Sequence, residues 1–222
     1  MIKIIILEVI ITICLSNMYK IVKNCIGEEA CMLLATEMKT TRSLTNIALD
    51  NMTEEERENY QFGDSMIGDK CFAVYGLSAA ESLLLLLQNK AEEIFKKELY
   101  PTYTYSRIYY NDAKMKKHTD RDSCEYSVSL CVEKDFYKTP YPLFVDGEPV
   151  ELEPGDAIFY EGKIHEHWRE EYKGFEHTQT FLHYVDKYGK YSDRKYDGRP
   201  FVGYGEISNY KLLGKHDLNE YL

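Results

Sequence analysis

The sequence predicts an α+β protein that is mainly β, in which amino-terminal helices buttress an antiparallel β core. Two observations carry the prediction. Segments with apolar residues at helical spacing lie in the first hundred residues, and beyond them the chain consists of short alternating runs separated by turn signals. Helices followed by closely spaced strands favour such an arrangement. The 222 residues, 44% of them hydrophobic, are enough for one well-packed domain, which we expect over residues 18–222.

Two helices are predicted before the β core. A short strand and a turn at Gly27 precede a helix with apolar residues on one face. The next segment, residues 40–70, is polar and weakly periodic, which predicts a surface loop or a short helix. A second helix is predicted from Ser78 to Leu99, because Ser78 can cap the first turn and Glu81 follows three residues later, as in a capping box.

The strands of the core are predicted by alternation of residues and by turn signals. The turn signals are Asp146-Gly147, Pro154-Gly155 and Lys173-Gly174, which divide the chain beyond residue 100 into short runs. The strand-bearing segments are residues 102–110, 124–133, 141–162, 164–170 and 176–186.

Residues 1–17 stand apart from the predicted domain. The lysine at position 3 and the apolar run around it resemble a signal peptide or a short membrane anchor. Glu8, which would be costly in a bilayer, and the lack of a small-x-small cleavage pattern argue against that interpretation. The alternatives are a buried amino-terminal strand, or a working protein that begins near Met18.

The charge of the chain argues against a nucleic-acid partner. A net charge of -10 and a pI near 5.2 oppose the electrostatic footprint that such binding needs. The small basic cluster of Lys114, Lys116 and Lys117 is interpreted as a solvated loop. The six cysteines form no CxxC pair and are too sparse for a disulfide scaffold, so we expect mostly reduced thiols. We also expect a cytoplasmic location, unless residues 1–17 act as a signal or anchor.

The most chemically informative residues lie at the entrance to a predicted strand. His118 and Asp120 are two residues apart, so on extended backbone both side chains point to the same side and can bind one cation. An imidazole and a carboxylate suit a divalent metal of the iron class, and two histidines with one carboxylate leave positions open for other ligands. The third ligand can come from residues 163–169, which contain His165 and His167. Taken alone, the pair is a weak signal, because it occurs by chance in many proteins.

The order of the motifs is more specific than the pair. HTD before a strand, the turn LEPGD, and EHWRE about fifty residues after HTD resemble the iron(II)- and 2-oxoglutarate-dependent oxygenases, in particular their prolyl-4-hydroxylase-like branch. The resemblance covers roughly residues 100–187. It implies a double-stranded β-helix, or jelly roll, with a metal at its open end.

The resemblance also implies a set of ligands. His118 and Asp120 match the two proximal metal ligands of the family. His167 is preferred to His165 as the distal ligand, because EHWRE aligns better with the family's distal segment. His177 stands ten residues after His167, at the position where the family binds the far carboxylate of 2-oxoglutarate with a lysine or arginine. We expect His177 to contact that carboxylate, either protonated or assisted by Arg169 or Arg107.

Three further residues are candidates for the 2-oxoglutarate pocket. Tyr109 matches a tyrosine that lines this pocket on the strand before HTD. A neutral histidine at position 177 gives one hydrogen bond where an arginine would give a charged clamp. The missing positive charge is therefore sought in Arg169, on the same strand face as His167, or in Arg107, on the same side of its strand as Tyr109.

The implied function is that of a dioxygenase that uses iron(II), 2-oxoglutarate and O2, with ascorbate as the reductant. Such enzymes hydroxylate an unactivated carbon while 2-oxoglutarate is converted to succinate and carbon dioxide. The branch suggests a protein or peptide substrate, such as peptidyl proline, although a small molecule is also open. The alternative is a jelly-roll module that binds a metal or ligand without catalysis; retention of all three metal ligands favours the enzyme.

Overall fold

The computed structural model describes residues 19–55, 64 and 66–203. The helices in this part of the chain are α1 (Glu28–Asp50), α2 (Ser78–Leu86) and α3 (Gln88–Phe95). The strands are β1 (Tyr19–Val22), β2 (Cys71–Tyr75), β3 (Leu99–Tyr110), β4 (Met115–His118), β5 (Tyr126–Glu133), β6 (Leu143–Val145), β7 (Glu148–Val150), β8 (Ala157–Tyr160), β9 (His167–Arg169) and β10 (Glu176–Asp186). Short 3-10 helices occupy Asp122–Cys124 and Ser192–Gly198.

The strands form two antiparallel sheets. The larger sheet has the strand order β1-β8-β5-β10-β3-β2, and the smaller one has the order β4-β9-β6-β7. The helices pack on the larger sheet, where they share one apolar cluster with β3, β5, β8 and β10. A second cluster lies between β5 and β8 of the larger sheet and β4, β6 and β7 of the smaller one. The protein is therefore an α+β protein, mostly β, as predicted.

The predicted turns shape the β core. Asp146 and Gly147 both have positive φ, 49° and 100°, and connect β6 to β7 in a tight hairpin. Gly155 has φ 92°, and an added Cβ would lie 2.8 Å from the carbonyl oxygen of Ile26, so this turn needs a glycine. The carboxylate of Asp156 accepts hydrogen bonds from the backbone N–H groups of Glu153 and Asn24, which ties the turn to the segment before α1.

The structure corrects the prediction for residues 40–70, because α1 continues to Asp50. Three side-chain hydroxyls in this polar stretch bond carbonyl oxygens four residues earlier, which satisfies them inside the helix; they are those of Thr41, Ser43 and Thr45. Arg42 forms an ion pair with Glu176 at 2.7 Å. A polar sequence is compatible with a helix here because its hydroxyls have partners within the helix and Arg42 is paired with Glu176 on β10.

The predicted second helix is divided into α2 and α3 at Leu87. The capping-box prediction is wrong, because Leu77 is the N-cap residue and no side-chain cap is formed. Glu81 is instead buried, accepts the backbone N–H of Thr104 and pairs with Arg199 at 3.0 Å. Its charge is satisfied by tertiary contacts rather than by the helix terminus.

The basic cluster is exposed, as predicted, but it is not a loop, because Lys116 and Lys117 lie on β4. Lys114 and Lys117 are paired with Glu170 and Glu166 across the surface. No helix in the described part of the chain is long and apolar enough to cross a membrane. Residues 1–17, for which a signal or anchor was considered, lie outside the described residues.

Candidate metal centre and the pocket beside it

Three side chains, two from a pair of strands and one from the loop after β4, meet at one point. His118 ends β4 and His167 begins β9, and the two residues are direct partners in the antiparallel pairing of these strands. Asp120 follows β4 and is held by a 2.8 Å hydrogen bond from its backbone N–H to the carbonyl oxygen of Gly162. The pairing of short strands, and not the HxD spacing alone, therefore assembles the cluster.

The three side chains present a compact set of candidate ligand atoms. The Oδ1 atom of Asp120 lies 3.4 Å from Nε2 of His167 and 3.7 Å from Nε2 of His118. One ligand atom from each residue lies within 4.8 Å of the other two. Two imidazoles and one carboxylate are the donor set that suits an iron-class divalent metal, so these residues fit the metal implied by the sequence.

Hydrogen bonds behind the rings orient both imidazoles. Nδ1 of His118 lies 2.8 Å from the carbonyl oxygen of Lys116, and Nδ1 of His167 lies 2.9 Å from that of His165. Because a carbonyl oxygen only accepts, each Nδ1 carries the proton and each Nε2 presents its lone pair to the centre. Both rings are therefore in the tautomer that binds a metal through Nε2.

The electrostatics of the cluster also suit cation binding. Burial, together with the neighbouring His167, lowers the pKa of His118 and keeps the ring neutral. Burial alone would raise the pKa of Asp120, but contacts with His167, and with His183 and Ser127, lower it to about 2. At neutral pH the cluster thus holds the ionised carboxylate of Asp120 beside a neutral His118.

His165, the competing distal ligand, lies apart from this cluster. Its Nδ1 is 2.6 Å from the carboxylate of Asp146 in the β6–β7 turn. The geometry thus brings His167, and not His165, to His118 and Asp120.

A pocket opens over the three candidate ligands, and Arg107 lines it. Nε and Nη2 of Arg107 both donate to Oδ2 of Asp64, at 2.9 and 2.8 Å, and the hydroxyl of Tyr105 donates to the same atom at 2.8 Å. Nη1 lies 3.4 Å from the hydroxyl of Tyr109. The positive charge of Arg107 is therefore already neutralised by a buried carboxylate.

Beyond Arg107 lies a cage of buried aromatic rings, which we call the tyrosine cage. It consists of Tyr109, Tyr141 and Tyr172, whose rings surround His177 at centroid distances of 6.3, 5.4 and 6.0 Å. The guanidinium of Arg169 lies over Tyr141 at 4.7 Å and over Tyr109 at 5.6 Å. All of these residues are buried.

Arg169 is the uncompensated cation of the cage. It is 2% exposed, its Nη1 donates to the carbonyl oxygen of Tyr141, and no carboxylate of the described residues forms an ion pair with it. Its Nε has no hydrogen-bond partner. Since a buried arginine without a counter-ion is costly, the cage is suited to an added anion.

His177 is neutral in the cage. Burial, together with the nearby Arg169, lowers its pKa to about 3. Its Nε2 lies 2.8 Å from the amide oxygen of Gln179, which only accepts, so the proton is on Nε2 and Nδ1 keeps a lone pair without a partner. Arg169, and not His177, is therefore the positive charge here.

Sequence reasoning named the three residues that the fold brings together, but it missed residues that complete their surroundings. Asp64 lies in the segment for which only a loop or short helix was predicted, and Tyr141 and Tyr172 lie in loops between strands. No periodicity or motif marks these positions, because their partners lie far away in the sequence. Tyr105, Arg107 and Tyr109 were placed on one side of β3 by strand alternation, and their shared contacts agree with that placement.

Comparison with known proteins gives matches in fold only. No protein-family model and no curated protein sequence matches the chain. The viral collagen prolyl hydroxylase of Paramecium Bursaria Chlorella virus-1, solved with 2-oxoglutarate, matches with a TM-score of 0.55 and 10% identity over 77% of this chain and 97% of that chain. A Pseudomonas putida prolyl-4-hydroxylase matches with a TM-score of 0.54 and 12% identity, over 78% of this chain and 95% of that chain.

A third match is HygX from Streptomyces hygroscopicus, solved with nickel and 2-oxoglutarate bound. Its TM-score is 0.50 and its identity 11%, over 77% of this chain and 83% of that chain. The chain therefore has the fold of the prolyl hydroxylases and other 2-oxoglutarate-dependent non-heme iron enzymes.

Proposed function

We propose that the protein is an iron(II)- and 2-oxoglutarate-dependent dioxygenase with a jelly-roll core, which hydroxylates an unactivated carbon of its substrate. The observation that carries the proposal is the His118, Asp120 and His167 cluster, with an uncompensated buried arginine in the adjoining cage. The shared fold supports it, because matched structures hold 2-oxoglutarate or a metal.

Different residues would bind the metal and the 2-oxoglutarate. His118, Asp120 and His167 would hold iron(II), which with 2-oxoglutarate and O2 supplies the oxidising chemistry. Arg169 would anchor the distal carboxylate of 2-oxoglutarate, with Tyr109 and His177 beside it. His167 and Arg169 are two residues apart on one face of β9, about 6.6 Å along the strand, so one small diacid can reach from the metal to the arginine.

The assignment of the anchor to Arg169 is a choice between two arginines. Arg107 lines the pocket over the ligands, but Asp64 already neutralises it. Arg169 has no such partner among the described residues, and a carboxylate beside it would satisfy its Nε. We therefore assign Arg107 to the pocket wall, where the pair with Asp64 keeps it in place.

The proposed substrate is a protein or peptide, as in the prolyl hydroxylases that share the fold. The wall over the ligands is aromatic, and it includes Tyr103, Tyr105, Tyr160 and Phe181. Such rings exclude water and orient an aliphatic carbon toward the metal. Because the substrate must approach from this side, these rings are the residues that would contact it.

The test is production of succinate from 2-oxoglutarate by the purified protein with iron(II), ascorbate and air, with a panel of proline-containing peptides as candidate substrates. The proposal predicts succinate in wild type and none in a His118→Ala variant. A wild-type protein that binds metal but forms no succinate, with or without peptides, would support the rival function, a metal-binding module without catalysis.

A further inference from the structure

The two carboxylate oxygens of Asp120 have different surroundings. Oδ1 faces the Nε2 atoms of His118 and His167. Oδ2 points away from them and accepts a 3.0 Å hydrogen bond from the hydroxyl of Ser127 on β5. One oxygen is thus presented to the metal position, and the other is occupied by the protein.

Ser127 is itself oriented from behind. Its hydroxyl lies 3.0 Å from Nδ1 of His183, its direct partner on β10. The hydroxyl has one proton, and the ionised carboxylate of Asp120 is a stronger acceptor than the carbonyl oxygen of Cys124 at 3.4 Å. The proton therefore goes to Asp120, and the hydroxyl oxygen accepts the Nδ1 proton of His183.

Gly162 gives the carboxylate the space it needs. A Cβ at this position would lie 2.1 Å from Oδ2 of Asp120 and 2.8 Å from Oγ of Ser127. The carbonyl oxygen of Gly162 also accepts the backbone N–H of Asp120. The same residue thus fixes the backbone of the ligand and leaves room for its side chain.

We propose that Ser127, oriented by His183, and the side-chain-free Gly162 hold Asp120 as a one-oxygen ligand. With Oδ2 occupied, the carboxylate cannot turn to chelate the metal through both oxygens, and one more coordination position stays open for exchangeable ligands. Ser127 and His183 are positioning residues, since they act through Asp120. The inference rests on the proposed metal site.

The experiment uses the full chain and two metals that need no oxygen chemistry. Ni²⁺ is titrated calorimetrically into wild type, Ser127→Ala and Ser127→Thr, and the visible absorption spectrum of each Co²⁺ complex is recorded. Ser127→Ala should bind Ni²⁺ about 10–100-fold more weakly, and its Co²⁺ spectrum should change because the freed Oδ2 can join the coordination. Ser127→Thr, which keeps the hydroxyl, should restore both properties.

Ser129→Ala is the matched control. Ser129 lies two residues farther along β5, is equally buried, and accepts a hydrogen bond from Gln179 instead of contacting a ligand. Its Ni²⁺ affinity and Co²⁺ spectrum should equal those of wild type. A Ser127→Ala protein with unchanged affinity and spectrum overturns the inference, as does an equal loss in Ser129→Ala.

His183→Leu tests the outer residue. Like Ser127→Ala, it should weaken Ni²⁺ binding. The variant with both substitutions should bind Ni²⁺ only slightly more weakly than Ser127→Ala alone, because both residues act through one hydrogen bond. Additive losses overturn the role given to His183. If wild type binds neither Ni²⁺ nor Co²⁺, the proposed function fails. If wild type binds both metals, and Ser127→Ala and Ser127→Thr have the same Ni²⁺ affinity and the same Co²⁺ spectrum, only this inference fails.

Discussion

The cluster of His118, Asp120 and His167, here called the metal end, and the tyrosine cage, here called the cage end, differ in how completely their polar atoms are bonded. At the metal end, the outward-facing atoms of all three ligands have partners: Lys116 and His165 bond the histidine Nδ1 atoms, and Ser127 bonds Asp120. In the cage, Arg169 and His177 each keep a buried nitrogen without a partner. These are two of the three such side-chain atoms in the described part of the chain, and the third belongs to Thr178, next to His177.

The difference indicates what each end requires. At the metal end, hydrogen bonds within the protein already orient the side chains that would bind a cation. The cage is incomplete, because an arginine is buried without an anion and a histidine is held neutral beside it. A carboxylate beside Arg169 would satisfy the cage, and under the proposed function the same diacid would reach the metal and couple the two ends.

The largest expected effect is loss of the metal end. Replacing His118, Asp120 or His167 with alanine should each reduce succinate formation below detection, because each removes one of three ligands. Circular dichroism should show that the fold is retained. His165→Ala is the control, since its partner is Asp146 and not the cluster; an inactive His165→Ala with an active His167→Ala would reverse the distal assignment.

Breaking the buried pair of Asp64 and Arg107, which belongs to the pocket wall, should lower the stability of the fold. Asp64→Asn keeps the shape of the side chain but leaves Arg107 buried without its counter-ion. Breaking a buried pair in this way costs about 3–5 kcal/mol, which chemical unfolding would measure. Lys117→Ala, which breaks an exposed pair with Glu166, should cost at most about 1 kcal/mol. Equal effects of the two substitutions would show that the buried pair is not stabilising the wall.

Substitutions in the tyrosine cage should change the affinity of the protein for 2-oxoglutarate. Arg169→Gln removes the charge that is proposed to meet the distal carboxylate, and the KM for 2-oxoglutarate should rise about 30–100-fold, equivalent to about 2–3 kcal/mol. His177→Gln should raise it much less, because His177 is neutral. If His177→Gln has the larger effect, the histidine at the family position is the anchor and Arg169 is structural.

The smallest expected effect is a difference in the pH dependence of stability between wild type and a variant of the cage. The folded-state pKa of His177 is about 3, below its ordinary value of 6.5, so on acidification the unfolded chain takes up this proton first. The contribution of neutral His177 to the free energy of unfolding is fully present above about pH 6.5 and declines as the pH falls toward 3. Between pH 7 and pH 5 wild type should lose about 2 kcal/mol more than His177→Gln in the free energy of unfolding. Parallel pH profiles of the two proteins would contradict the neutral assignment.

Most strands of the core were predictable because their signals are local, whereas β2 and the short β4 were not predicted. Alternation and turn residues located the β core and its hairpin, and the two-residue spacing of His118 and Asp120 placed them together. The helices were predicted less well. In the polar half of α1 the side chain of Arg42 pairs with the distant Glu176, and in α2 Glu81 pairs with Arg199, more than a hundred residues away.

The residues around the site were missed for the same reason. Asp64 matters only because β3 carries Arg107 to it, and Ser127 matters only because two loops bring Asp120 and Gly162 against β5. Nothing in their neighbouring sequence distinguishes them from ordinary polar residues. Motif spacing predicts which side chains can be ligands, whereas the chain's tertiary contacts decide which of them are oriented.

The central claim is that one diacid joins the two ends, and calorimetric titration of 2-oxoglutarate tests it most directly. The titrations compare wild type with and without Ni²⁺, and Ni²⁺-loaded Arg169→Gln whose metal affinity has been measured separately. The account predicts binding to wild type that depends on Ni²⁺, and binding at least about 30-fold weaker in Arg169→Gln with unchanged metal affinity. Metal-independent binding, or equal binding by Arg169→Gln, would contradict it.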